Sequence, residues 1–247
     1  MSRLSRSRRA LAVITRWLWG TALVTWRYLW ETTPLHRSES VGDEWDRPPQ
    51  IPPDAIDDRV QLISDGCGPL FHRRFHVRIA AAEIDADQLI DRVIHDFKHF
   101  VPTEVVDIRA DEVGTQGLEV GDEMLVEMPG PWNGPVKVVH REDTLLHLVT
   151  LRGHLEAGQV QFRAYQDGAI LVFEIELWAR CSSRLVHFLY SRLRFAKEVQ
   201  LNMWVRFCMA AVATSRGRLV DGVHVSTRRI EQPSELSAPV LSSIGES

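Results

Sequence analysis

Residues 159–176 read QVQFRAYQDGAILVFEIE, two alternating runs on either side of Asp167-Gly168. Alternation of apolar and polar side chains at a period of two marks a half-buried β-strand, and Asp-Gly favours the positive φ angles of a tight hairpin turn. Pairing outward from that dipeptide predicts Ala164 opposite Leu171, Phe162 opposite Phe173 and Val160 opposite Ile175. These apolar residues share one face. Gln159, Gln161, Arg163, Val172, Glu174 and Glu176 share the other, where Gln161 is expected to face Glu174 and the charges to form a solvated outer network.

The same register extends upstream. Carried back through the 153–158 loop, it sets His147 opposite Ala164; around Glu142-Asp143 it sets His140 opposite Leu145 and Val138 opposite His147. Both histidines are therefore expected to face inward, beside Phe162 and Phe173. Met124, Val126 and Met128 read as the buried face of the preceding strand, and PGPWNGP at 129–135 reads as a rigid corner that presents Trp132. These six residues, Met124, Trp132, His140, His147, Phe162 and Phe173, are the candidate cavity lining.

Two helical stretches flank the strands. Residues 70–80 alternate, with Phe71, Phe75, Val77 and Ile79 on one face and His72, Arg74, His76 and Arg78 on the other. Spacing then turns helical over 81–100 behind a cap at Asp85, and again over 183–214 through Leu189, Leu193, Ala196, Met203, Phe207 and Ala211. One unbroken helix of ~32 residues would be ~48 Å long, so a break is expected near 190–194. The order defines an α+β fold: a curved antiparallel sheet gripping a long C-terminal helix, with a cavity between them.

The chain has 247 residues, 45% hydrophobic, with 33 acids against 29 Lys plus Arg, which is ordinary globular composition. Cys67, Cys181 and Cys208 have neither disulfide-framework nor zinc spacing and suggest a reducing, cytoplasmic compartment. Charge is uneven. Residues 1–37 hold seven arginines against Glu31 alone, leaving an acidic body with no basis for nucleic-acid binding.

Within that basic segment, 14 of the 20 residues at 11–30 are hydrophobic. On a helix Arg9, Arg16, Gly20 and Arg27 form a stripe about 40° wide, with Trp17, Trp19, Trp26 and Trp30 around it. This pattern suits an amphipathic helix lying at an anionic membrane surface, peripheral to the inner face of the cell membrane. Docking on protein and a true span are the alternatives, the span opposed by the cost of burying arginine. The expected organisation is an amphipathic helix at 1–37, a Pro-rich acidic linker at 38–59, the sheet-and-helix domain at 60–217 and a polar tail at 218–247.

The strings GCGPLFHRRFHVRI (66–79), GDEMLVEMPGPWNGPVKVV (121–139), TLRGHLEAGQVQFRA (150–164), FEIELWARCSSRLV (173–186) and AKEVQLNMW (196–204) resemble the bacterial family DUF1990. That resemblance covers roughly 60–215 and implies a START-like, helix-grip architecture, that of small-molecule and lipid binders. It transfers no catalytic residue.

No P-loop, GxGxxG, HExxH or GxSxG motif is present, and neither cofactor nor metal is implied. His72 and His76 share a face, but Arg74 between them opposes a metal. His154 and Glu156 read as turn residues. His140 and His147 suit acid–base chemistry or core hydrogen bonding. The leading expectation is an apolar small-molecule or lipid-binding domain at the membrane surface. A cyclase- or dehydratase-type enzyme using His140 and His147, and a protein-docking module, are the alternatives.

Overall fold

The computed structural model describes residues 34–101, 107–110, 117–127, 133–183 and 194–230. The strands are β1 (Leu35–Val41), β2 (Cys67–Ala80), β3 (Asp107–Ala110), β4 (Glu123–Glu127), β5 (Asn133–Glu142), β6 (Leu145–Thr150), β7 (Glu156–Asp167), β8 (Ile170–Cys181) and β9 (Arg218–Ile230). They form one sheet in the order β1-β9-β2-β8-β7-β6-β5-β4-β3, antiparallel except for the β1–β9 pair. The helices are α1 (Ala86–His95), the single turn α2 (Phe97–Phe100) and α3 (Arg194–Thr214).

Local chemistry explains the helix ends. Asp85 caps α1 by accepting from the Gln88 N–H, while Gln88 Oε1 accepts from the Asp85 N–H, a reciprocal capping box. Leu89, Ile90, Val93 and Ile94 bury its apolar stripe. The helical path breaks at Asp96, and α2 then places Phe97 and Phe100 in the core. Val205, Phe207, Cys208, Ala211 and Val212 carry the buried side of α3. They share one core with Phe75, Val77 and Ile79 of β2, Phe162 and Ala164 of β7, and Phe173 and Ile175 of β8. A curved, mostly antiparallel sheet with a long helix across its concave face is the helix-grip arrangement.

The hairpin forms, with a shifted register. Asp167 pairs with Ile170, so Gly168, at φ +62°, and Ala169 are the central turn residues. Phe162 then faces Ile175, and Ala164 faces Phe173. A two-residue shift preserves every face. Arg163, not Gln161, faces Glu174.

On β6 the shift is odd, and the faces exchange. Leu148 pairs with Val160, Leu146 with Phe162, and His147 with Gln161. His147 therefore points to the convex side, opposite Phe162, and His140 is its direct partner on β5. The physical reason is that residues 146–150 are buried on both faces. A strand covered twice is an almost continuous apolar run, so alternation carries no phase.

The second cover is the segment expected to be a linker. After β1, residues 43–66 run over the convex face, where Ala55 and Val60, with Ile51 and Leu62, pack on Val139, Val149 and Leu151. The Gln61 N–H donates to Thr150 O at 2.8 Å, and Arg152 N–H to Arg59 O at 2.7 Å. Its prolines favour extended backbone and short turns, which suits a strap as well as a linker. The start of the expected polar tail is also structural. β9 inserts between β1 and β2, burying Val223 and Val225. Asp221 and Gly222, at φ +60° and +84°, form a bulge there, and a Cβ on Gly222 would lie 2.1 Å from Pro34 O.

Candidate functional site

The concave interior is aromatic. Phe207 of α3 sits among Phe162 at 4.9 Å, Phe100 at 5.2 Å, Phe97 at 5.3 Å and Phe173 at 5.9 Å between ring centroids. Trp204, one turn earlier on α3, lies 5.9 Å from Phe162 and 6.3 Å from Phe207. Its ring is partly exposed, yet its indole Nε1 is buried and has no hydrogen-bond partner. Such a donor costs about 1–3 kcal/mol when left unmade. Cys208 is fully buried in the same wall, and burial pushes its thiol pKa up, so it stays protonated and unreactive.

Of the sequence-derived lining residues, Met124, Phe162 and Phe173 are in this core. His140 and His147 are not. Trp132 lies outside the described residues, as do Arg9, Arg16, Trp17, Trp19, Trp26, Arg27 and Trp30. Trp204, Phe97 and Phe100 are absent from the sequence-derived lining: helical spacing over 81–100 marks Phe97 and Phe100 as core, while Trp204 lies outside the stripe read over 183–214, and no local signal says which ring keeps an unpaired N–H.

The histidines belong instead to a polar layer on the convex face. His147 is 2% exposed and its Nε2–H donates to Gln159 Oε1 at 3.0 Å; Gln159 Nε2 donates onward to Pro49 O of the strap. Burial drives the His147 pKa down to about 4. His140 is more open and pairs with Glu142 at 2.9 Å. His154 accepts the Glu156 N–H at 2.9 Å, a turn role.

At the centre of that layer His72 bridges two carboxylates. Its Nδ1 is 2.8 Å from Asp46 Oδ1, its Nε2 is 3.4 Å from Glu176, and its ring stacks on Trp178 at 4.8 Å. Burial opposes the charged imidazole, but the contacts with Glu176 and Asp46 outweigh it and raise the His72 pKa. Asp46 also receives Arg228 at 3.1 Å, and Trp178 Nε1 donates to Asp46 O at 2.9 Å. One buried residue thus pins the strap to three strands, its carboxylate to β2 and β9 and its backbone carbonyl to β8. Glu174, expected to be solvated, is 2% exposed and paired with Arg74; burial and Glu176 raise its pKa all the same.

Beside it, His36, His224 and His76 stack across β1, β9 and β2 at 4.6 and 4.8 Å. Burial, with Arg74, His224 and Arg78, lowers the His76 pKa to about 4. Among the described residues no group of three or more His, Cys, Asp and Glu is arranged to hold a metal.

No family model matches the chain, and no curated protein matches it in sequence. Solved structures resemble its fold. Norcoclaurine synthase of Thalictrum flavum, as a point mutant, is 10% identical with a TM-score of 0.42, covering 60% of this chain and 98% of that one. A hypothetical protein from Helicobacter pylori is 12% identical with a TM-score of 0.42, covering 57% and 88%. The major latex-like protein of Panax ginseng is 11% identical with a TM-score of 0.39, covering 58% and 97%.

Proposed function

We propose that the protein binds an apolar small molecule or lipid between the concave face of the sheet and α3, and that residues 1–37 hold it at an anionic membrane surface. The observation that carries the binding reading is the buried, unpartnered Trp204 N–H among the rings of Phe162 and Phe207. A ligand with a flat or aliphatic body and one acceptor oxygen would fill the apolar wall and satisfy that donor. The enzyme alternative loses its candidate residues, because His140 and His147 are on the other face.

Native mass spectrometry of the purified full chain tests the reading. Wild type is expected to retain or take up such a molecule from a cell extract, and Trp204→Phe, which keeps the ring and removes the donor, to weaken that binding by about tenfold. A chain that emerges empty and takes up nothing refutes it. Flotation of the full chain with anionic vesicles tests the membrane part. Replacing Arg9, Arg16 and Arg27 together by glutamate is expected to abolish flotation; unchanged flotation would refute an electrostatic interfacial helix. No helix among the described residues is long and apolar enough to cross a membrane.

A further inference from the structure

We propose that Cys67 and Cys181 are an oxidisable thiol pair, whose product is an intrachain disulfide between β2 and β8. The two lie more than a hundred residues apart in sequence, so spacing gives no hint of it. The sheet brings them together: β2 begins at Cys67, β8 ends at Cys181, and the two are direct antiparallel partners. Direct partners project to the same side with Cα atoms about 4.5–5.5 Å apart, inside the span of about 4.4–6.8 Å that a disulfide bridges.

Local packing supports the pairing independently. A Cβ added to Gly66 would lie 3.2 Å from Cys181 O and 2.7 Å from Arg180 Cβ, so the start of β2 and the end of β8 are in close contact. The register is irregular between Cys67 and Phe71, and Gly68 there has φ +80°. That irregularity lets the first residue of β2 adjust to the dihedral a disulfide needs, where a regular ladder would resist. Neither thiol is in a disulfide, and both are partly exposed, within reach of a small oxidant. Cys208, fully buried, is the internal control.

Hydrogen peroxide is a sufficient co-reactant. One thiolate attacks a peroxide oxygen: an S–O bond forms, the O–O bond breaks, and hydroxide leaves and is protonated to water. The second thiolate attacks the sulfenic sulfur, forming S–S and releasing the second oxygen as water. Two thiols lose two electrons and two hydrogens, and peroxide becomes two waters. The product ties the residue that ends the strap, through Cys67, to the last residue of β8, next to Ser182, whose N–H donates to Leu155 O at 2.8 Å. The pair is separate from the aromatic interior, so the inference stands or falls without the ligand.

The test is mild peroxide treatment of the folded full chain, then denaturation, maleimide labelling and peptide mapping without reductant. The oxidised chain is expected to take up one maleimide where the reduced chain takes up three, one for each cysteine, and to yield one cross-linked peptide joining Cys67 to Cys181. Reductant should restore all labelling. Cys208→Ser should still form the cross-link, while Cys67→Ser and Cys181→Ser should not. Sulfinic acid at separate sites, or only chain-to-chain dimers, with no Cys67–Cys181 peptide from wild type, would overturn the proposal.

Discussion

Replacing His147 by glutamine should make the protein less sensitive to mild acid. His147 is almost fully buried under the strap, and its pKa is held at about 4 by desolvation, against 6.5 for an exposed imidazole. The unfolded chain therefore binds the proton more readily than the folded one. A histidine depressed in this way contributes stability that is complete above pH 6.5 and is lost as pH falls towards 4. Between pH 7.5 and pH 5 the linkage relation makes that loss about 2 kcal/mol for this one group. Glutamine retains a donor near the position of Nε2 for Gln159 Oε1 and does not titrate. The assay is urea unfolding of both proteins at the two pH values, followed by circular dichroism. Wild type should lose about 2 kcal/mol more than the variant on acidification. His76, also depressed to about 4, acts in the same direction, and His72, whose pKa is raised, acts in the opposite one; both are common to the two proteins and cancel in the comparison. Equal losses in wild type and variant would refute the assignment of His147 to a dry, neutral site.

Phe207→Ala should cost about 3–5 kcal/mol, because the ring is fully buried at the centre of four other phenylalanines; a change below about 1 kcal/mol in chemical denaturation would show that α3 does not grip the sheet as described. Asp46→Asn should loosen the strap without unfolding the sheet, since it weakens the contacts with His72 and Arg228. Limited proteolysis should then cut within 43–66 several times faster than in wild type, and an unchanged cleavage rate would mean that Asp46 is not its anchor.

Much of the fold is legible in the order of residues. The hairpin at Gly168, the alternation of β2, the cap at Asp85 and the helical stripe through Phe207 all follow from local periodicity and turn chemistry, and they suffice for a sheet gripping a helix. Phe162, Phe173 and Met124 are recognisable as interior for the same reason. The candidate site is legible only in part. Trp204 is not in the helical stripe read from the sequence, and its unpaired N–H depends on which atoms of β7 and α3 come within reach.

What the sequence determined alone was whatever a single strand or helix decides by itself: period, caps and turns. The tertiary structure decided the rest, through contacts between distant segments. Covering both faces of β6 removed the alternation that would have oriented it, so the strap at 43–66 placed His147 on the convex side. Inserting β9 between β1 and β2 turned an apparent tail into sheet and built the three-histidine stack. Bringing the start of β2 beside the end of β8 made neighbours of Cys67 and Cys181. Each of these is a long-range pairing, and local patterns of charge and hydropathy contain no information about which distant backbone will supply the missing hydrogen bonds.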